Sequence, residues 1–231
     1  MRARFEKQLL TLHQELIEMG SLCEEIILKT FKAIEKEQLP NTKTIATLSE
    51  EIEQMEQDIE SRCLKILLRQ QPVAKDLRTV SSALKMVYDL KRIGTQAYEV
   101  SEIVAQGHIV KSKELHVLQS MVDSVREMVT MSIDAFVHED EALALKVIAK
   151  DEEVDENFDT IKVLLVECFA SKNLDIEHAI DLLMVSKYIE RIGDHAVNIA
   201  KWVLYAITGQ LDIDGGERCY FVLRMMTTSE S

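Results

Sequence analysis

The chain has 231 residues, 47% hydrophobic and 29% charged, with seven glycines and two prolines. That much apolar material excludes a compositionally disordered chain, and so few breakers predict an all-α fold. The formal net charge of −13 argues against nucleic acid as a partner, because such binding rests on neutralised phosphates; acidity that only keeps the protein soluble is the plainer reading, and bound cations or a cationic partner surface the other.

Six helices follow in chain order. Apolar periodicity predicts the first from about Arg4 to Lys36, with Phe5, Leu9, Leu12, Leu16, Met19, Ile26, Phe31 and Ile34 turned inward. Leu39-Pro40-Asn41 ends it, since proline disfavours the α conformation in the residue before it. The second runs from about Thr42 to Arg69 and stops at Gln71-Pro72, and the third from about Ala74 to Gln106, stopping at Gly107. The fourth covers about Ser112 to Val137, and Asp140 is the expected N-cap of the fifth, which reaches about Ser171. A turn at Asn173 to Asp175 supplies a capping aspartate for the sixth, which runs to Ile207 and stops at Gly209. Residues 210–231 fall outside this pattern; Cys219 to Leu223 suits packing on the body or a short strand, and the tail is assigned no function.

An internal repeat organises the six helices. Arg191-Ile-Gly193 and Ala196 have counterparts in Arg92-Ile-Gly94 and Ala97, whereas the polar residues around them do not recur. Each copy is one supersecondary unit. The expected architecture is two tandem three-helix bundles, residues 1–108 and 109–209, followed by the 210–231 tail.

Acidic spacing points to cation chemistry. On a helix, residues four apart share a face. Glu190, Asp194, Asn198 and Lys201 form such a stripe on the sixth helix, and Asp151, Asp155, Asp159 and Lys162 form another on the fifth. Antiparallel packing of these helices brings five carboxylates and an amide together, with Gly193 allowing close approach. Like charges that close repel and raise one another's pKa unless a cation neutralises them, and oxygen-rich sets suit hard or borderline cations. A solvated acidic face is the plainer reading of the same spacing. In the first half Ser49, Glu53 and Gln57 stand against Asp151, Asp155 and Asp159, and Lys91, Thr95 and Glu99 against Glu190, Asp194 and Asn198. That half is expected to bind metal weakly or not at all, with Lys91 pairing with Glu99 or Glu53.

Other chemistry finds little support. Cys23, Cys63, Cys168 and Cys219 are far apart with no Cys-x-x-Cys, which argues for reduced thiols in the cytoplasm. No Glu-x-x-His, His-Glu-x-x-His, P-loop or Gly-x-Ser-x-Gly occurs. His195 reads as a surface or interface histidine; His13, His108, His116, His138 and His178 read as ordinary polar residues, with His178 near the cap of the sixth helix. The chain is read as a non-enzyme. Its N-terminus shows no apolar leader and no run approaches a membrane span of about 20 residues, so a soluble cytoplasmic protein is expected, with no membrane insertion.

The segment from Arg69 to Arg78 (Arg-Gln-Gln-Pro-Val-Ala-Lys-Asp-Leu-Arg), with Lys85 and Arg92-Ile-Gly94, resembles the first-repeat signature of the PhoU family. The segment from Glu190 to Ala200, with Gly209, resembles the second-repeat signature, and the resemblance covers roughly residues 3–209. It implies tandem three-helix bundles, a homodimer, and a cytoplasmic negative regulator of the phosphate-starvation response. It further implies partners in the ATPase of the phosphate ABC transporter and a sensor histidine kinase. Surface acidic motifs of the family imply metal at Asp151 with Asp155, at Glu190 with Asp194, and at Asn198; iron, zinc, manganese and magnesium are the candidates. Ser49, Lys91 and Thr95 depart from the family motif in the first half, as does Lys201 in the second. The Arg69–Arg78 turn reads equally as a helix break or a partner contact. The alternative function is a metal-binding or metal-storing bundle with no signalling partner.

Overall fold

A computed structural model of the chain describes residues 2–36, 38–109, 112–170 and 175–210. The segment 211–231, including Cys219 to Leu223, lies outside the described residues, as do Asn173 in the predicted turn and positions 110–111 of the junction between the halves. The helices are α1 (Arg2–Glu35), α2 (Thr42–Gln70), α3 (Ala74–Val104), α4 (Glu114–His138), α5 (Glu141–Ala170) and α6 (Ile176–Thr208). All six fall close to their predicted spans.

Local chemistry sets their ends. The Asn41 side chain accepts from the Thr44 backbone N–H at 3.2 Å, Asp140 from Leu143 at 2.9 Å and Asp175 from Glu177 at 3.0 Å. Each satisfies a donor that the first helical turn leaves unpaired. Gly209 ends α6 at φ 76°, its N–H donating to the Tyr205 carbonyl at 2.9 Å. Arg78 backs this terminus, its Nε donating to the Ala206 carbonyl at 3.4 Å. A cation there complements the carbonyl-rich end of the helix. The Arg69–Arg78 segment thus combines a helix break at Pro72 with a tie between the start of α3 and the end of α6. His178, expected near the cap, is instead buried, because its helix position turns it into the bundle.

Helices α1, α2 and α3 form the first bundle and α4, α5 and α6 the second, with α3 against α6 and α1 against α4 joining them. Leu12, Leu16, Met19, Ile26, Ile52, Ile59, Ile66, Met86, Leu90 and Ile93 are among the fully buried side chains of the first bundle. Removing such residues from water is the main driving term, about 1.5–3 kcal/mol per large side chain.

The two repeats meet across a pseudo-twofold axis between α3 and α6, which run antiparallel. Gln96 and His195 occupy matching repeat positions and face each other, Nε2 to Nε2, at 3.3 Å. Asn198 Nδ2 donates to Asp89 Oδ1 at 3.4 Å; its image is the pairing of Tyr188 with Glu99, whose charge acts on the Tyr188 hydroxyl. The same geometry is therefore kept while the chemistry diverges.

The repeat glycines are not equivalent. A Cβ on Gly94 would stand 2.7 Å from Ile52 Cδ1 and 3.1 Å from its Cγ2, whereas one on Gly193 would meet nothing nearer than Asp151 Oδ1 at 3.5 Å. Gly94→Ala is expected to destabilise the protein by about 1–2 kcal/mol, the overpacking outweighing the gain in helix propensity. Gly193→Ala is expected to be neutral or stabilising by up to about 1 kcal/mol. Chemical denaturation of both variants checks this; equal shifts would contradict it.

Candidate metal centre

Antiparallel packing of α5 on α6 sets Asp151 beside Gly193, as their repeat positions require. Burial is the largest influence on Asp151 and raises its pKa to about 6; the charges of Asp155, Asp194 and Glu190 add to the rise, and Lys201 opposes it. Asp155 is also raised, first by desolvation and then by Glu190 and Asp159. Asp194 is raised by desolvation and then by Glu190 and Asp155, with Lys187 and His195 opposing. Four of the predicted residues, Asp151, Asp155, Glu190 and Asp194, therefore share one electrostatic site.

Of the other two, one stays at the edge of the cluster, where its charge still raises Asp155, and one is carried away from it. Asp159 is exposed and takes an ion pair with Lys162. Asn198 turns to Asp89 in the α3–α6 interface. Helical geometry carries Asn198 away: each step of four residues advances about 40° beyond a full turn, so by its third member the α6 stripe has turned toward α3. His195 lies in the same interface, its Nδ1 2.8 Å from Asp89 Oδ1. The sequence reading missed Asp89, which is buried and has no acidic neighbour at helical spacing to draw notice.

Lysines attend the cluster. Lys187 Nζ donates to both carboxylate oxygens of Glu190 at 2.6 Å. Lys187 and Lys162 also lie 5.3 Å and 4.8 Å from the Phe158 ring centroid, making cation–π contacts. Among the described residues, no three His, Cys, Asp or Glu side chains stand as a ready-made metal-ligand group. The donor set nevertheless fits a cation chemically: four carboxylates on two packed helices, partly desolvated and mutually repelling.

The first half lacks this arrangement. Lys91 stands where Glu190 does and pairs with Glu56 at 3.3 Å and Glu53 at 3.6 Å. Of its expected partners, Glu53 is found; Glu99 is instead engaged by Tyr188 across the interface, and Glu56 takes its place. An internal ammonium thus does in one half what a bound cation would do in the other.

Among the described residues, no helix is long and apolar enough to cross a membrane.

The model of the PhoU domain matches the chain twice, at residues 16–104 and 118–203, one match per bundle. The phosphate-specific transport system accessory protein PhoU homolog of Clostridium acetobutylicum is 31% identical over 216 residues, covering 92% of this chain and 99% of its own. The homolog of Pseudomonas aeruginosa is 32% identical, over 89% of this chain and 86% of its own. The crystal structure of PhoU from Pseudomonas aeruginosa superposes with a TM-score of 0.84 at 31% identity, covering 89% of this chain and 100% of its own. That of the phosphate transport system regulatory protein PhoU from Streptococcus pneumoniae has a TM-score of 0.81 at 24% identity, covering 90% and 98%, and supports the shared fold. Two domain matches in register with the two bundles, and relatives aligned along nearly the whole chain, show that this chain belongs to the PhoU family.

Proposed function

We propose that the chain regulates phosphate uptake in the cytoplasm, restraining the phosphate-starvation response by linking the phosphate ABC transporter to a sensor histidine kinase. The observation that carries this reading is the match of both bundles to the PhoU domain, alongside relatives named as phosphate-specific transport system accessory proteins. The role is one of adaptor, with no catalytic step. Clean deletion is expected to switch on phosphate-starvation reporters in phosphate-replete cells, and a reporter that stays silent would count against the adaptor.

The chain is further proposed to act as a homodimer. Light scattering is expected to give about twice the 26.4 kDa chain mass. A strictly monomeric protein at micromolar concentration would refute it.

The α5–α6 acids are proposed to hold a metal ion through Asp151, Asp155, Glu190 and Asp194. Oxygen donors suit magnesium, manganese or iron, with zinc also accommodated by carboxylates. Such an ion would supply positive charge where four carboxylates repel, and Lys187 would have to release Glu190. The same cluster favours a second reading, a metal-storing bundle with no signalling partner; copurification with the transporter ATPase and the kinase at high and low phosphate separates the two.

A further inference from the structure

The α5–α6 surface that carries the acids continues into an apolar face. Asp151 lies beside Gly193, and Lys187 lies over Phe158. The same antiparallel register, followed toward the end of α5, sets Val166 and Phe169 alongside Ile180 and Ile176. On α6, Ile176, Ile180, Leu183, Lys187, Glu190 and Asp194 advance in steps of three and four, which keeps them on one face. Val166 and Phe169 continue the α5 row of Asp155 and Lys162 in the same way. These are large apolar side chains in water: Val166 is 67% exposed, Ile176 63% and Ile180 54%, with Phe169 and Leu183 also exposed. An exposed patch of this kind on a chain this acidic marks an interaction surface. From Ile176 to Asp194 the face runs about 27 Å at the helical rise.

We infer that this face binds an amphipathic helix of a partner protein, with apolar side chains at one end and arginine or lysine about three turns further along. The inference rests on the adaptor reading, which requires a protein partner. Charge complementarity selects the occupant. The apolar end offers a seat for side chains spaced i, i+3, i+4 and i+7. The acidic end offers Asp151, Asp155, Glu190 and Asp194, and Glu190 is at present held by an exposed lysine that an incoming cation can displace. An anionic membrane is disfavoured, because the same carboxylates repel its headgroups. A second copy of the chain is disfavoured, because it would bring its own Asp151, Asp155, Glu190 and Asp194 to a face whose excess of negative charge Lys162 and Lys187 do not offset. The first half has the matching surface without the charge: Leu64 and Leu77 are exposed there, but Lys91 answers its acids.

The test uses the full chain with chelator present and a labelled synthetic helix of about 20 residues, leucine-faced in its first half and arginine-rich in its second. Fluorescence anisotropy is expected to show binding that weakens about tenfold or more in Val166→Glu with Ile180→Glu, a loss of about 1.4 kcal/mol or more. Asp155→Asn with Glu190→Gln is expected to weaken it and flatten its salt dependence. Leu64→Glu with Leu77→Glu is the control and is expected to leave affinity unchanged. All the apolar positions are exposed, so circular dichroism is expected to stay native. Absence of binding to the wild-type chain, or equal binding to all variants, overturns the inference. So does conversion of a dimer to a monomer by Val166→Glu with Ile180→Glu at unchanged peptide affinity, which would assign the face to a second copy. The deletion reporter judges the adaptor reading separately: derepression without peptide binding leaves the adaptor standing and removes this surface from it.

Discussion

Asp194→Asn combined with Glu190→Gln is expected to reduce bound metal about tenfold or more, while Glu53→Gln leaves metal content nearly unchanged. The two halves share a fold but differ in how they neutralise acid. In the second, Asp151, Asp155, Glu190 and Asp194 raise one another's affinity for a positive charge, proton or metal. In the first, Lys91 already stands between Glu53 and Glu56, and its own pKa is raised chiefly by the hydrogen bond to Glu56. The double substitution removes two anionic donors and preserves side-chain shape, so lost metal reports lost charge rather than lost packing. Elemental analysis of protein loaded with manganese or iron, together with anomalous diffraction at the metal edge, gives the answer. Equal losses from both variants, or a strong anomalous peak beside Lys91, would sink the asymmetry.

In the metal-free protein, the contribution of Asp151 to stability is expected to fall as pH rises from about 4 to 6, so wild type is expected to lose stability relative to Asp151→Asn across that range. The native pKa of Asp151 is raised from 3.8 to about 6, so the native state binds this proton more tightly than the unfolded chain. A raised carboxylate favours the folded state while protonated; that contribution is present below the unfolded value and is lost as pH climbs through the native one. Each pKa unit corresponds to about 1.36 kcal/mol. Because the group is only partly buried, about 1–3 kcal/mol is the expected loss. Asp155 and Asp194 shift in the same direction, and the cluster titrates as a unit, so the midpoint belongs to the group. At pH 7.5 with chelator, Asp151→Asn is expected to unfold at higher temperature than wild type, because it replaces a repelled charge with a neutral amide. Added metal is expected to reverse the ranking, since a cation stabilises only the ionised cluster. Thermal unfolding of both proteins across this pH range is the measurement; parallel profiles would show that Asp151 is not the group responsible.

The helices and their ends were legible because their causes are local. Pro40 and Pro72 break the chain, Asn41, Asp140 and Asp175 cap it, Gly209 stops it, and apolar periodicity marks the buried side of each helix. The repeat was legible for the same reason: Arg-Ile-Gly recurs at one place in each bundle. Spacing also named the four acids that converge, since residues four apart share a face whatever covers it. Tertiary packing decided which neighbour each face meets. It placed Asn198 on Asp89, His195 between Asp89 and Gln96, and Arg78 on the end of α6. These contacts join residues far apart in the chain and depend on how α3 crosses α6, which no single helix's periodicity contains. The separation of Asn198 from its own stripe shows the division most directly: about 40° of drift per four residues is invisible in a spacing rule, and becomes decisive once a second helix occupies the side toward which the stripe turns.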